Sequence, residues 1–424
     1  MYTDRLGDFD MNHYFIQKHN KIYTGIFFIL GFNIKEETFL VGLKKENDIL
    51  QMGSFSNGLS EEEKGILIKA IEANKKSKKD NIKYVEPGIC IELEFQSIEN
   101  NQLTNAKFLS FQLKHAWNEC TWDGLLLDNL NLEEELTLTS PDKVIWKDPL
   151  INKESYVSYL AQISTYMLPF LKNRLLTTIR FPNGIDGESF FQKNSPDYAP
   201  SFIKTEEHEG NNFIICNDVS TLLWLGNQLA IEYHIPFQTY KAKNPIEIVF
   251  DLDPPNTDAF PLAIKAALEM RLIFESFQIK SYPKVSGSKG IQIHIPIKEN
   301  SLTYDDTRVF TSFIAHYLIE KFPDDFTIER LKKNRGNRLY IDYIQHAKGK
   351  TIICPYSTRG RVKPTVATPL FWDEVNDELK IETYTIPFVL NRLESSSCPM
   401  QTYFDQENSS LVDLISKIKE NQSK

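Results

Sequence analysis

The sequence of 424 residues predicts an α/β domain preceded by a small β-rich module, on three observations. Up to about residue 120, short β-branched and aromatic runs (TGIFFILGF, ETFLVGLKK, GICIELEFQS) are separated by polar turns. From Leu136 onward, helical periodicities alternate with strand-like runs such as AIEYHIPF, IEIVFDLDPP and RLYIDYIQ. At about 150 residues per domain, the length accommodates two or three units, each with a sizeable core. The expected division is a β-rich module over 1–120, an acidic linker over 121–134 (around WDGLLLDNLNLEEE) and the α/β domain over 135–424.

Taken in order, the module's strands are interrupted by SEEEKGILIKAIEANKKSKK, which reads as a helix. Ser60 caps it, Glu63 sits three residues on, and Ile66, Ile68 and Ile71 supply its apolar positions. Lys75, Lys76, Lys78 and Lys79 then complement the negative end of the helix dipole. In the larger domain a helix over Lys153–Leu171 precedes TTIRFPNGIDG, whose Pro–Asn–Gly and Asp–Gly steps mark turns. A second helix runs from Val219 to about Leu229 and leads into AIEYHIPF. After IEIVFDLDPP comes an amphipathic helix with Phe260, Ala263, Ala267, Met270, Phe274 and Phe277 on one face. SYPKVSGSKGIQIHIPI is loop and strand, TRVFTSFIAHYLIEKF helix and RLYIDYIQ strand. Beyond residue 376, YTIPFVLNRL and LVDLISKIKE read as helices without nameable chemistry.

Composition narrows the function classes. Hydrophobic residues make up 41% and charged residues 25% of the chain, an ordinary globular balance. The longest apolar run, around Gly25–Gly31, falls far short of the roughly 20 residues that span a bilayer, and the polar, acidic MYTDRLGDFD does not read as a signal peptide. Five scattered cysteines (Cys90, Cys120, Cys216, Cys354, Cys398) with no CxxC pair exclude a zinc ribbon or disulfide framework. They point to a reducing, cytoplasmic setting without membrane attachment. A net charge of −9 opposes nucleic-acid binding unless basic groups gather locally. Lys332, Lys333, Arg335, Arg338, Lys348, Lys350, Arg359, Arg361 and Lys363 supply such a cluster in one short stretch.

The chemistry concentrates in four places. In VFDLDPP, strand alternation points Asp251 and Asp253 to one face, and Pro254 and Pro255 end the strand just beyond them. Two adjacent carboxylates require a proton or a cation between them. Asp342, on RLYIDY, shares a face with Arg338 and Tyr340. Three hard oxygen donors on two strands suit Mg²⁺ or Mn²⁺ in a two-metal phosphoryl- or nucleotidyl-transfer site; two solvated aspartates capping a strand end are the bland alternative. Lys284-Val-Ser-Gly-Ser-Lys-Gly290 is not a Walker A loop, but its glycines, Ser286 and Lys289 suit a triphosphate; alone it reads equally well as a plain turn. In CPYSTRGR, Arg359 and Arg361 can face one ligand if the segment is extended. His234 is either a phosphate donor or a satisfied core histidine, and Phe190 and Phe191, between polar residues, can stack on bases.

Seven segments in order, LTSPDKVIW, IRFPNGIDGESFFQKNSP, LLWLGNQLAIEYH, VFDLDPP, KVSGSKG, YIDYIQ and PYSTRGRVKPTVATPLFWDEV, resemble the polymerase domain of bacterial DNA ligase D. That domain belongs to the archaeo-eukaryotic primase superfamily and acts in non-homologous end joining. The resemblance spans about Glu135 to Glu374 and implies a primase-polymerase fold with a mixed β-sheet at its catalytic core. It implies that Asp251, Asp253 and Asp342 bind metal, and that His234, Ser286, Lys289, Gly290, Arg359 and Arg361 hold an incoming NTP or dNTP. It also implies that Lys143 and Lys153 recognise a 5′-phosphate at a gap or break, and that Phe190 and Phe191 meet the template strand. Such enzymes extend primers, often prefer ribonucleotides and favour manganese. Partners implied are DNA with gaps or double-strand ends, a Ku-like end-binding protein and a separate DNA ligase.

Two departures stand out. Gln292 occupies the place after KGI where the family commonly has histidine, with His294 one alternation later on the same face. Ile179 precedes the arginine of IRFP where a basic residue is usual. The N-terminal module resembles, less specifically, the OB-fold domain that closes a ligase portion. The chain contains no KxDG adenylation motif, and LTNAKF lacks the arginine of a working ligase OB domain. Ligase activity is therefore not expected, and the module reads as a remnant retained for binding. Two other functional classes compete. One is a catalytically inactive DNA-end binding or bridging module. The other is a DxD phosphatase, disfavoured because Pro254-Pro255 follows the acids.

Overall fold

The computed structural model describes residues 22–45, 48–130 and 132–422; the polar N-terminal segment and the Lys332 side chain lie outside them. The chain divides into two compact units, Met1–Leu132 and Glu133–Lys424.

The first unit is built on an antiparallel sheet. Its strands are β1 (Tyr23–Asn33), β2 (Thr38–Lys45), β3 (Asp48–Phe55), β4 (Lys75–Lys79), β5 (Ile82–Val85), β6 (Cys90–Phe95) and, after the hairpin of β7 (Ser97–Glu99) and β8 (Gln102–Thr104), β9 (Lys107–Phe111). The order is β3-β2-β1-β5-β4, and β6 joins β1 to β9. The long β1 changes partner midway: Tyr23–Phe28 pair with β6, and Gly31–Asn33 with β5. Gly31 permits that crossing, because a Cβ there would stand 2.5 Å from the Lys83 carbonyl. Phe27, Phe28, Phe39, Phe55 and Phe95 fill the interior.

Helix α1 (Glu61–Ala73) carries the expected capping box of Ser60 and Glu63. It stops earlier than its lysine-rich tail predicts. Asn74 caps it by donating to the Ala70 carbonyl (2.9 Å), and Lys75–Lys79 form the fully exposed edge strand β4 instead. A row of ammonium groups on a sheet edge blocks further strand pairing, so these lysines guard an edge rather than complement a helix dipole. The expected linker is also corrected. Trp122–Asp128 form helix α2, capped by Thr121, with Trp122, Leu125 and Leu126 buried. The acidic residues masked an apolar stripe that docks on β1, where Gly25 leaves room for Leu125.

The second unit holds two sheets. One runs β13 (Phe190–Gln192), β12 (Thr177–Arg180), β16 (Ala230–Pro236), β22 (Thr351–Ile353). The other is mixed and runs β18 (Tyr282–Val285), β19 (Ile291–Pro296), β17 (Glu247–Asp253), β21 (Leu339–Asp342), β20 (Phe326–Thr327), with only the last pair parallel. Two small hairpins, β10 (Val144–Lys147) with β11 (Leu150–Asn152) and β14 (Thr205–His208) with β15 (Asn211–Ile214), complete the strands.

Helix α3 (Lys153–Leu171) packs on α4 (Val219–Asn227) where Gly226 admits Leu160. Helices α5 (Phe260–Ser276) and α6 (Tyr304–Lys321) cover the mixed sheet through the Phe250–Phe274–Phe310 cluster. Ala263, Ala267, Met270 and Phe274 form the buried face of α5 as predicted, whereas Phe277 is exposed where the helix ends. The C-terminal stretch supplies α7 (Ile386–Ser395) and α8 (Ser410–Gln422). Among the described residues, no helix is long and apolar enough to cross a membrane.

Candidate active site

Strand β17 carries Asp251 and Asp253 to its end, and Pro254 follows as predicted. In register, Asp251 stands opposite Asp342 of β21 on one side and Gln292 of β19 on the other, and Lys284 of β18 stands opposite Gln292. The result is a row of polar side chains across four strands. Within it, the Lys284 ammonium donates to Gln292 Oε1 (2.5 Å) and Gln292 Nε2 donates to Asp251 Oδ1 (3.1 Å). Lys284 is fully buried, and burial pulls its ammonium down to about 7. Asp251 moves the other way: burial and then the neighbouring Asp253 charge push its carboxyl up to about 6, against the Gln292 hydrogen bond and the Lys284 charge.

The three aspartates are adjacent but individually engaged. Asp253 lies 3.1 Å from Lys289 Nζ, which also donates to the Pro254 carbonyl. Asp342 Oδ1 accepts the amides of Ile344 (3.2 Å) and Gln345 (2.9 Å), closing its own turn. Among the described residues, no three His, Cys, Asp or Glu side chains converge tightly enough to hold a metal ion as they stand. The donor chemistry nonetheless fits a hard divalent cation. The set is all carboxylate, and Asp253 and Asp342 both raise the Asp251 carboxyl, a repulsion that a cation relieves.

The glycine loop between β18 and β19 folds back over these acids. Gly290 is obligatory, since a Cβ would sit 2.3 Å from the Leu252 carbonyl. Gly287 has φ +67, and a Cβ there would stand 2.8 Å from Arg359 Cγ. Ser286 is buried, and its Oγ accepts the amides of Ser288 (3.2 Å) and Gly290 (3.1 Å). The Ser286, Ser288 and Gly290 amides therefore bond within the turn, and Lys289 supplies its ammonium.

Arg359 and Arg361 do not lie side by side as an extended segment predicts. The Arg361 amide bonds the Arg359 carbonyl (2.8 Å), and Gly360 passes so close to Phe181 that a Cβ would overlap the ring. Arg361 reaches forward to Ser288 Oγ. Arg359 turns back to Glu232 Oε2 (3.1 Å), the same oxygen that meets His234 Nε2 (2.9 Å), while the Gly360 amide donates to Glu232 Oε1 (2.9 Å). His234 is thus neither a core histidine nor a lone donor. It shares a carboxylate with Arg359. His294, in contrast, lies away from the site, with Nδ1 on Glu247 (2.9 Å).

The remaining candidates form separate features of the same unit. Lys153 is buried, its ammonium bonded to the Thr139 carbonyl, and its backbone amide donates to the Lys143 carbonyl (2.9 Å). Burial, and then the Lys143 charge, lowers its pKa. Phe190 and Phe191 are exposed on edge strand β13. The Arg180 guanidinium sits 5.4 Å from the Phe190 ring centre and bonds Tyr198 Oη (3.0 Å), itself exposed. Ile179 pairs with Phe191 and Glu232 inside the sheet. Within the basic stretch, Arg335 stacks on Tyr340, 3.8 Å from the ring centre, and shapes its own loop.

Sequence reasoning missed Glu232, the Lys284–Gln292 bridge and the Arg180–Tyr198 pair. Only Glu232 left a usable signal, since it alternates with His234 on one strand face.

Comparison with known proteins identifies the family. A family model described as LigD, primase-polymerase domain, matches residues 152–400. The chain is similar to the bifunctional non-homologous end joining protein LigD of Bacillus subtilis, 44% identical over 376 residues, covering 89% of this chain and 62% of that protein. It is also similar to the multifunctional non-homologous end joining protein LigD of Mycolicibacterium smegmatis, 32% identical over 268 residues, covering 62% of this chain and 35% of that protein. It therefore spans less than two thirds of the length of these relatives. Among solved structures, the polymerase domain from Mycobacterium tuberculosis Ligase D in complex with DNA superposes with a TM-score of 0.60 at 29% identity, covering 64% of this chain and 99% of that one. With an α/β fold, a mixed sheet and a family match across most of the second unit, the chain belongs to the LigD primase-polymerase domain family.

Proposed function

We propose that the chain is a metal-dependent, template-directed nucleotidyltransferase that extends primers and fills gaps at DNA breaks in non-homologous end joining. It prefers ribonucleotides and has no ligase activity of its own. The observation that supports this best is the joining of acidic and basic groups on one turn: Lys289 bonds Asp253, and Arg361 bonds Ser288 two residues from Ser286. Cations along a triphosphate with carboxylates at its end are what in-line transfer requires.

Asp251, Asp253 and Asp342 would hold Mn²⁺ or Mg²⁺, which when bound would supply positive charge to the primer 3′-oxygen and the triphosphate. Lys289 exchanges Asp253 for phosphate oxygen, and Arg361, Arg359 and His234 receive the remaining phosphates. Ser286 and Gly290 fix the turn. The 3′-oxygen bonds the α-phosphorus while the bond to the β-bridging oxygen breaks, releasing pyrophosphate and the hydroxyl proton. Lys143 and Lys153, close enough to repel, take the downstream 5′-phosphate, and Phe190 and Phe191 stack on template bases. The N-terminal unit is retained for binding DNA or a partner, with a Ku-like end-binding protein and a separate DNA ligase completing the repair.

The test is extension of a gapped primer–template bearing a downstream 5′-phosphate, with Mn²⁺ or Mg²⁺ and rNTPs or dNTPs, beside Asp251→Ala and Asp342→Ala. Metal-dependent addition, faster with rNTPs and abolished by both substitutions, is expected. Binding of the gapped DNA without addition under any metal would replace this reading with an inactive end-binding module.

A further inference from the structure

We infer that Glu232 is a positioning residue that sets His234 and Arg359 for the incoming triphosphate by holding both on one carboxylate oxygen. The inference rests on the proposed nucleotide-binding role of those two side chains. Glu232 is 6% exposed, in the middle of β16, where an unpaired carboxylate would be costly. It is not unpaired: Oε2 takes His234 and Arg359, and Oε1 takes the Gly360 amide. Those hydrogen bonds and the charges of Arg359 and His234 hold its carboxyl below the ordinary range, overriding the burial that would raise it.

The three partners come from two segments that backbone pairing alone does not register. His234 sits two residues along β16, so it shares a face with Glu232. Arg359 and Gly360 belong to the irregular loop after β22. That loop is pinned from below by Gly360 against Phe181 and from above by Thr365 donating to the Gly287 carbonyl (2.6 Å). Arg359 is largely buried, its Nε–H lacks an acceptor, and a Cβ on Gly287 would touch its Cγ. A long guanidinium in such a slot has few ways to point, and Glu232 selects among them. The carboxylate also spaces the imidazole and the guanidinium, since both approach the same oxygen. This is the pre-organisation that spares a binding site the entropy of ordering its own side chains.

The experiment measures ATP binding by calorimetry on the full chain, together with KM and kcat on the gapped substrate. Glu232→Gln keeps the shape but turns an amide N–H₂ toward two donors; Glu232→Asp keeps the charge but withdraws it by one methylene. Both are expected to raise the ATP Kd and the nucleotide KM about tenfold or more, with kcat changed far less. The pair also guards against a variant that fails to fold. His234→Ala and Arg359→Ala test the underlying reading. If neither raises Kd, the nucleotide-binding assignment falls; if both do and the Glu232 variants do not, the inference alone falls. A double-mutant cycle completes the test: Glu232→Gln should cost less in Arg359→Ala than in the wild type, and little in a chain lacking both His234 and Arg359 side chains, because it acts through those two residues. Full additivity, tighter ATP binding in Glu232→Gln, or a loss of kcat and melting temperature with Kd unchanged would overturn it.

Discussion

The two ends of strand β17 present the same chemical problem and solve it in opposite ways. Glu247 and Asp251 lie on one face of a single strand, four residues apart. At the Glu247 end, the carboxylate is fully buried and completely partnered. It pairs with Arg174, His294 and the Tyr403 hydroxyl (2.7 Å), and its pKa lies well below the usual carboxylate range. At the Asp251 end there is one amide donor and two neighbouring acids, and the pKa rises to about 6. A buried charge with its partners built in is architecture. A half-buried carboxyl crowded by other acids is electrostatically strained, the pattern of a candidate cation site.

The sharpest way to break this contrast is to neutralise each end in turn. Asp251→Ala is expected to lower gap-filling by about three orders of magnitude, the several kcal/mol of charge stabilisation that a cation held there would supply, with little loss of fold as read by thermal melting. Glu247→Gln should do the reverse. It leaves the Arg174 guanidinium buried beside a neutral amide, so denaturant melts should show a loss of about 3–5 kcal/mol, with nucleotide KM unchanged in the fraction that folds. A Glu247→Gln protein of wild-type stability would refute the architectural half of the comparison.

Away from the strand, the same comparison extends to an exposed apolar edge. Phe191 is 73% exposed on an edge strand. Phe191→Ala should leave stability unaltered and weaken gapped-DNA affinity by about 1–3 kcal/mol, the worth of one stacked base, in a fluorescence-anisotropy titration at fixed salt.

The smallest effect sharpens the contrast by pH. Asp251 has a folded-state pKa raised above its unfolded value, so its contribution favours the fold below about pH 4 and is lost as pH rises through about 6. Glu247 is lowered, so its contribution is present above its unfolded pKa and lost as pH falls toward the depressed folded value. Asp251→Asn should therefore gain about 1–2 kcal/mol at pH 7.5, a gain that vanishes near pH 4 and shrinks for the wild-type comparison when Mn²⁺ is added. Paired melts at the two pH values check the sign.

What could be read from the sequence follows the same division between local and cross-chain information. Asp251, Asp253, the proline stop and the Ser60–Glu63 cap are local patterns, and each is where its spacing puts it. Asp342 was placed by strand alternation, and register then set it opposite Asp251. The Lys284–Gln292–Asp251 bridge could not be read this way, because it exists only once three strands are aligned. Glu232 was hidden for the related reason that its guanidinium partner lies over a hundred residues away. The lysines of β4 and the leucines of α2 were misread because charge at the surface hid what backbone pairing and an apolar stripe decide beneath it.

The Tyr403–Glu247 hydrogen bond spans 156 residues of sequence. On a ribosome adding about 5–20 residues per second, β17 emerges many seconds before the hydroxyl that completes the shell of its buried carboxylate. Until that tyrosine is made, the strand that carries Asp251 and Asp253 is anchored on a carboxylate that has Arg174 and His294 but lacks its third donor. The short turn between α7 and α8 that carries Tyr403 thus acts as a clasp fastened long after the strand it holds, and a chain cut short before Tyr403 would present Asp251 and Asp253 on a strand whose buried far end lacks one of its donors.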